Sequence, residues 1–112
     1  MNIEVESKEN IARLKLVGEL DMSTVDDLLE TFKKTKKDYN KIILDFSGVA
    51  FVDSTGVGNI IKLLEDNQDI DYVITNLQEE VEEIFNILNL KEVLGAEVFI
   101  ESNSKAVEYL KD

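Results

Sequence analysis

The chain has no cysteine and no histidine among its 112 residues. Disulfides, thiol chemistry, soft metal sites and imidazole acid–base catalysis are thereby excluded together, and with them most enzyme classes. Positive charge is scarce as well: 12 Lys and Arg stand against 24 Asp and Glu, a net charge of -12. Such a chain repels nucleic-acid backbones and anionic lipid, so neither direct nucleic-acid binding nor membrane contact is expected. The acidic surplus keeps a small protein soluble and would attract a basic protein surface. No apolar run approaches the roughly 20 residues of a membrane span, and no signal peptide opens the chain, so the cytoplasm is the expected compartment. What is present is ordinary for a globular protein. Hydrophobic residues make up 44% and charged residues 32%, in a length that suits one domain spanning residues 1–112.

Periodicity divides the chain into alternating elements. Ile3 and Val5 alternate with Glu4 and Glu6, and Ala12, Leu14 and Leu16 alternate with Arg13 and Lys15. The two runs read as an antiparallel hairpin with one wet face. Ser23 is expected to cap a helix whose apolar stripe is Val25, Leu28, Leu29 and Phe32. Acids crowd the start of that helix and Lys33, Lys34, Lys36 and Lys37 its end, which reads as a solvated, dipole-matched face. A buried strand follows over 41–46, then a helix from about 54 to 66 carrying Val57, Ile60, Ile61 and Leu64. A short strand at 71–74 precedes a third helix with Leu77, Val81, Ile84, Phe85 and Leu88 on its stripe. A last strand covers 97–100, and Ser102 caps a closing helix with Ala106, Val107 and Leu110 inside. The order is ββαβαβαβα. Right-handed crossovers then predict an α/β fold, a small mixed β-sheet covered by helices.

The stretch Asp53-Ser54-Thr55-Gly56-Val57-Gly58 joins a strand to a helix start. At such a junction the first helical N–H groups lack internal partners and carry partial positive charge, so a hydroxyl or anion finds donors there. Asp53 or Ser54 could serve merely as a cap. Gly56 and Gly58, however, each cost roughly 0.5–1 kcal/mol relative to Ala in a helix, and a cap needs neither. They imply close approach by another backbone, from this fold or from an incoming protein. Helical rotation sets Thr55, Gly58, Asn59 and Lys62 on the outer face, which is flat and suits contact better than a catalytic pocket. Without a histidine near Ser54, serine hydrolase chemistry has no base. The segment also lacks the Gly-Lys-Ser/Thr ending of a P-loop.

Phe51-Val52-Asp53-Ser54-Thr55-Gly56-Val57-Gly58, preceded by Ile43-Leu44-Asp45-Phe46, resembles the phosphorylation-site segment of bacterial anti-sigma factor antagonists of the STAS-domain family. Gly18-Glu19-Leu20-Asp21 resembles that family's loop after the second strand, and Val81, Ile84, Phe85 and Leu88-Asn89-Leu90 its third-helix pattern. The resemblance implies a STAS-like fold and a non-enzymatic switch that needs no cofactor. Unphosphorylated, such a protein binds an anti-sigma factor that is also a serine kinase; phosphorylation releases it, and a PP2C-type phosphatase resets it. By position, Ser54 would be the phosphoacceptor, and Asp21, Ser23, Asp53, Thr55, Gly56, Gly58 and Asn59 would belong to the partner surface. Two other readings compete. One is a STAS-type scaffold or ligand-sensing domain. The other is a phosphoryl-transfer protein using Asp53 as nucleophile, which would need a Mg²⁺-binding acidic cluster, with Asp21 and Asp45 as candidate acids, and a nearby basic residue.

Overall fold

Two alternating runs, each with its apolar residues on one side, fold back on each other at the start of the computed structural model, which describes residues 1–111. β1 (Asn2–Lys8) and β2 (Ile11–Leu20) pair antiparallel, from Asn2 opposite Val17 to Lys8 opposite Ile11. The turn consists of Glu9 and Asn10, with φ of 55° and 66°, the backbone twist that a two-residue hairpin loop needs. β2 then pairs parallel with β3 (Lys41–Val52), β3 with β4 (Asp71–Thr75), and β4 with β5 (Phe99–Ile100). The sheet order is β1-β2-β3-β4-β5.

The connections carry α1 (Val25–Thr35), α2 (Ser54–Glu65), α3 (Glu79–Ile87) and α4 (Leu90–Leu94), and α5 (Asn103–Leu110) closes the chain. Right-handed crossovers between successive neighbours, the hand this connection adopts almost without exception, gather α1 to α4 on one face. Strand alternation splits the core to match. Leu14, Leu16, Ile42, Leu44 and Phe46 pack with Leu28, Phe32, Ile60 and Phe85. Ile11, Ile43 and Val73 face the other way, onto Ala106 and Leu110 of α5. Phe85 meets Phe46 edge to face at 5.8 Å and Phe99 at 6.2 Å, the arrangement that ring quadrupoles favour.

The mixed α/β sheet and the order ββαβαβαβα are as expected, but several boundaries are not. β3 continues six residues past Phe46. Its register against β2 shifts between Lys15 and Val17 and again between Gly18 and Glu19, so Ser47-Gly48 is a bulge inside a strand, not the end of one. A Cβ at Gly48 would lie 2.7 Å from the Leu16 carbonyl oxygen, which is why the strand can pass only there with glycine. The last strand shrinks to two residues because 96–98 wind into a 3₁₀ turn. α3 ends at Ile87, and Asn89, at φ 57°, redirects the chain into α4. Leu88 is thereby left exposed instead of joining the buried stripe.

Two residues beyond Ile43, Asp45 points to the α5 face and is only 2% exposed. Its carboxylate accepts hydrogen bonds from Asn103 Nδ2 (3.0 Å), the Ser47 N–H (2.9 Å) and Asn76 Nδ2 (3.1 Å). Asn103 in turn accepts from the Thr75 hydroxyl at 2.7 Å. One buried carboxylate thus ties β3, the end of β4 and the start of α5 together. Burial alone would push its pKa up, but the bonds from Asn103, Ser47 and Asn76 together outweigh it and hold the carboxyl below its ordinary value. Asp45→Ala is expected to lower the unfolding free energy by about 1–3 kcal/mol in urea denaturation at neutral pH, because it strands the side-chain amides of the half-buried Asn76 and Asn103. Since the folded-state pKa lies below the unfolded one, the stabilisation is complete above the unfolded value and is lost as pH falls through the folded one. The stability gap between wild type and Asp45→Asn should therefore shrink as pH drops below about 4.

Candidate functional site

The site lies where β3 ends and α2 begins. Asp53 has extended backbone angles (φ -113°, ψ 175°) and caps α2, its Oδ1 accepting from the Gly56 N–H at 2.7 Å. Its own N–H donates to the Leu20 carbonyl at the end of β2 (3.2 Å), and its Oδ2 accepts from the Met22 N–H (3.4 Å). Three segments, the ends of β2 and β3 and the start of α2, meet on this one residue.

Ser54 is the first residue of α2 and is exposed, and its hydroxyl has no hydrogen-bond partner among the described residues. Gly56 gives its N–H to Asp53, so the Ser54 and Thr55 N–H groups remain for solvent or an incoming group, at the positive end of the helix dipole. The first turn of α2 holds no acid beyond its cap. Thr55 and Gly58 are exposed beside Ser54, and a Cβ at Gly58 would meet nothing within 4 Å. Asn59 is half-buried and turns back on its own helix, donating from Nδ2 to the Thr55 carbonyl at 2.9 Å.

Gly56, expected on the partner surface, is instead buried: a Cβ there would fall 2.4 Å from the Leu20 carbonyl oxygen. The backbone approaching it belongs to this fold, and its role is to let α2 sit against the end of β2.

The β2–α1 loop completes the surface. Asp21 Oδ1 accepts from the Ser23 N–H (2.9 Å) and the Ser23 hydroxyl (2.7 Å). The Ser23 hydroxyl bond is the chief reason that the Asp21 carboxyl sits below its usual pKa. Ser23 therefore does not cap α1. Thr24 occupies the cap position, and its hydroxyl serves the loop, accepting from the Asp21 N–H (3.0 Å) and donating to the Glu19 carbonyl (2.7 Å). With the loop held this way, Met22 projects at 73% exposure, joined to Asp53 through its backbone N–H. Phe51, two residues before Asp53, is 46% exposed. Sequence reasoning passed over both apolar residues, although each stands beside a motif and off every buried stripe.

Asp45, the third acid that an Asp53 nucleophile would need, is committed to Asn103, Asn76 and Ser47 instead. Among the described residues no cluster of three or more acids could hold a metal ion, and no helix is long and apolar enough to cross a membrane.

These features define a class: a small mixed-sheet α/β domain that presents a helix-start serine beside a loop bearing the exposed Met22. The chain belongs to the STAS-domain family, whose profile matches residues 2–106. It is 28% identical over 97 residues to the anti-sigma-B factor antagonist of Staphylococcus aureus, an alignment covering 84% of this chain and 90% of that protein. Its fold matches an anti-sigma factor antagonist from Mycobacterium paratuberculosis with a TM-score of 0.85 at 16% identity, over 99% of this chain and 94% of the other. The phosphorylated form of the Bacillus cell fate determinant SpoIIAA matches with a TM-score of 0.71 at 17% identity, over 96% and 98% of the two chains.

The two glycines of α2 should respond in opposite directions to alanine. Gly56→Ala is expected to destabilise by about 1–3 kcal/mol through its clash with the Leu20 backbone. Gly58→Ala should stabilise by about 0.5–1 kcal/mol, having open space and a helical backbone. Thermal melts of both variants would read the difference.

Proposed function

We infer that this chain is an anti-sigma factor antagonist of the cytoplasm, switched by phosphorylation of Ser54. The observation that carries the reading is the exposed Ser54 hydroxyl at the first residue of α2, with unpartnered N–H groups around it and the exposed Met22 on the neighbouring loop, tied to Asp53 through its backbone. The curated relatives named anti-sigma-B factor antagonists support the choice of partner. In this reading an anti-sigma factor with serine kinase activity covers Ser54, Thr55, Gly58, Asn59 and the Asp21–Ser23 loop. Met22 supplies exposed apolar area that a flat, weakly charged helix start lacks. Asp53 positions the junction, and a PP2C-type phosphatase restores the free hydroxyl. The chain itself performs no catalysis.

The energetics favour release without refolding. A phosphate on Ser54 adds ~1.5 to 2 negative charges beside Asp53. Repulsion from Asp53 of order 1 kcal/mol is opposed by roughly 0.3–1 kcal/mol of attraction to the helix start, so the free fold changes little. Beneath a partner, the same charge is buried without a counter-ion and costs roughly 2–5 kcal/mol. That weakens binding tens to thousands of times.

Incubation with the cognate kinase and ATP should place acid-stable phosphate on Ser54, located by mass spectrometry of the digested protein. Acid-labile phosphate on Asp53 would overturn the reading in favour of phosphoryl transfer. In calorimetric titrations with the anti-sigma factor, Ser54→Asp should bind at least about tenfold more weakly than wild type. Ser54→Ala should bind normally and never be released by ATP. Met22→Ala, which removes an exposed side chain, should weaken binding without lowering the melting temperature.

A further inference from the structure

Of the chain's 12 basic residues, Lys33, Lys34, Lys36, Lys37 and Lys62 lie in the last turns of α1 and α2 or just past them. The fold brings Lys33, Lys36 and Lys62 around one groove of about 330 Å³ between the two helices, with Leu29, Phe32 and Leu63 along it. Asp66 is the one carboxylate on its rim. Among the described residues none of the three ammonium groups lies within 4.0 Å of a carboxylate, although acids outnumber bases two to one. Lys36 donates instead to Asn67 Oδ1 at 2.7 Å. Dipole matching accounts for a lysine at each helix end. It does not account for two half-buried leucines left open between them.

We propose that this groove docks an acidic amphipathic helix of a partner protein. Its apolar residues, at i, i+3 and i+4, sit on Leu29 and Leu63, above the buried Phe32, and its flanking carboxylates face Lys33, Lys36 and Lys62. The openness of the groove selects this occupant: a small ligand would stay largely in water, whereas pocket ligands bury about 70–90% of their surface. A helix laid in the groove buries a whole apolar stripe. From Leu29 to Lys36 the groove spans about 10 Å, room for two helical turns. The charge argument is local, because the chain as a whole is acidic and its long-range field is screened beyond about 10 Å at 0.1 M salt. Lys62 lies about 12 Å along α2 from Ser54, so the groove adjoins the switch surface at Asn59 and extends away from it. A second copy of the chain is the rival occupant, since α3 carries Glu80, Glu83 and the exposed Ile87. α3, however, keeps Val81 and Phe85 buried in its own core, so it has no full apolar stripe to lay in the groove.

Titration of the ¹⁵N-labelled chain with two synthetic peptides of about 15 residues tests the proposal, each with Leu at i, i+3, i+4 and i+7 and flanked in one by Glu and in the other by Lys. The Glu peptide should shift the amide signals of Lys33, Lys36, Leu63 and Asn67, and the Lys peptide should not. Lys33→Gln/Lys62→Gln should weaken the Glu peptide roughly three- to tenfold at an unchanged melting temperature. Equal response to both peptides, no response, or shifts centred elsewhere would overturn the proposal. So would shifts in the groove and on α3 that grow with protein concentration in the absence of peptide, which would assign the groove to a second copy.

Discussion

Asp53 carries more of this structure than any other single residue. Its N–H reaches the end of β2, one carboxylate oxygen caps α2 and the other holds the β2–α1 loop through Met22. All three contacts use backbone partners, so they need no particular side chain on the other side. The glycine at 56 is the counterpart of that constraint. Only a residue without Cβ lets α2 begin this close to the Leu20 carbonyl. The serine between them is consequently placed by its neighbours, while its own hydroxyl stays uncommitted.

A second polar cluster keeps the far side of the sheet in place. Asp45 and its three donors fasten α5 across β3 and β4, on the face opposite α1 to α4. The two acids, eight residues apart on one strand and its continuation, thus have opposite duties. Asp45 is sealed and structural; Asp53 borders solvent and shapes a surface. A charge added at Ser54 would act on that surface, with the Asp45 cluster and both hydrophobic layers between it and α5. In the proposed switch, that separation would let a modification at Ser54 change what the surface binds and leave the fold as it is.

Much of this was legible in the chain. Alternation in the first twenty residues, the apolar run at 42–46 and the 3.6-residue stripes report directly which side of each element is buried, and so the fold class follows from pattern alone. The serine at the helix start was legible for the same reason, since a strand followed by Asp-Ser-Thr-Gly and an apolar stripe implies a cap. The misjudged details share a cause. Ser47-Gly48 carries the composition of a turn, yet the pairing demanded by β2 makes it a bulge. Ser23 has the right side chain for a cap, yet Asp21 takes its hydroxyl and Thr24 stands one residue closer to α1. Leu88 fits the third stripe, yet the left-handed turn at Asn89 ends the helix before it.

The sequence by itself determined the order of elements, their buried faces, the exclusion of thiol and imidazole chemistry, and the acidic character of the molecule. These are properties of composition and local period, and hydrophobic burial enforces them wherever the elements finally pack. Only the tertiary structure decided that Gly56 faces inward and Gly58 outward, that the loop carrying Met22 is tied to Asp53 beside Ser54, and that Lys62 joins the lysines of α1. Such placements depend on contacts between residues tens of positions apart, and those distances exist only once the strands have chosen their register.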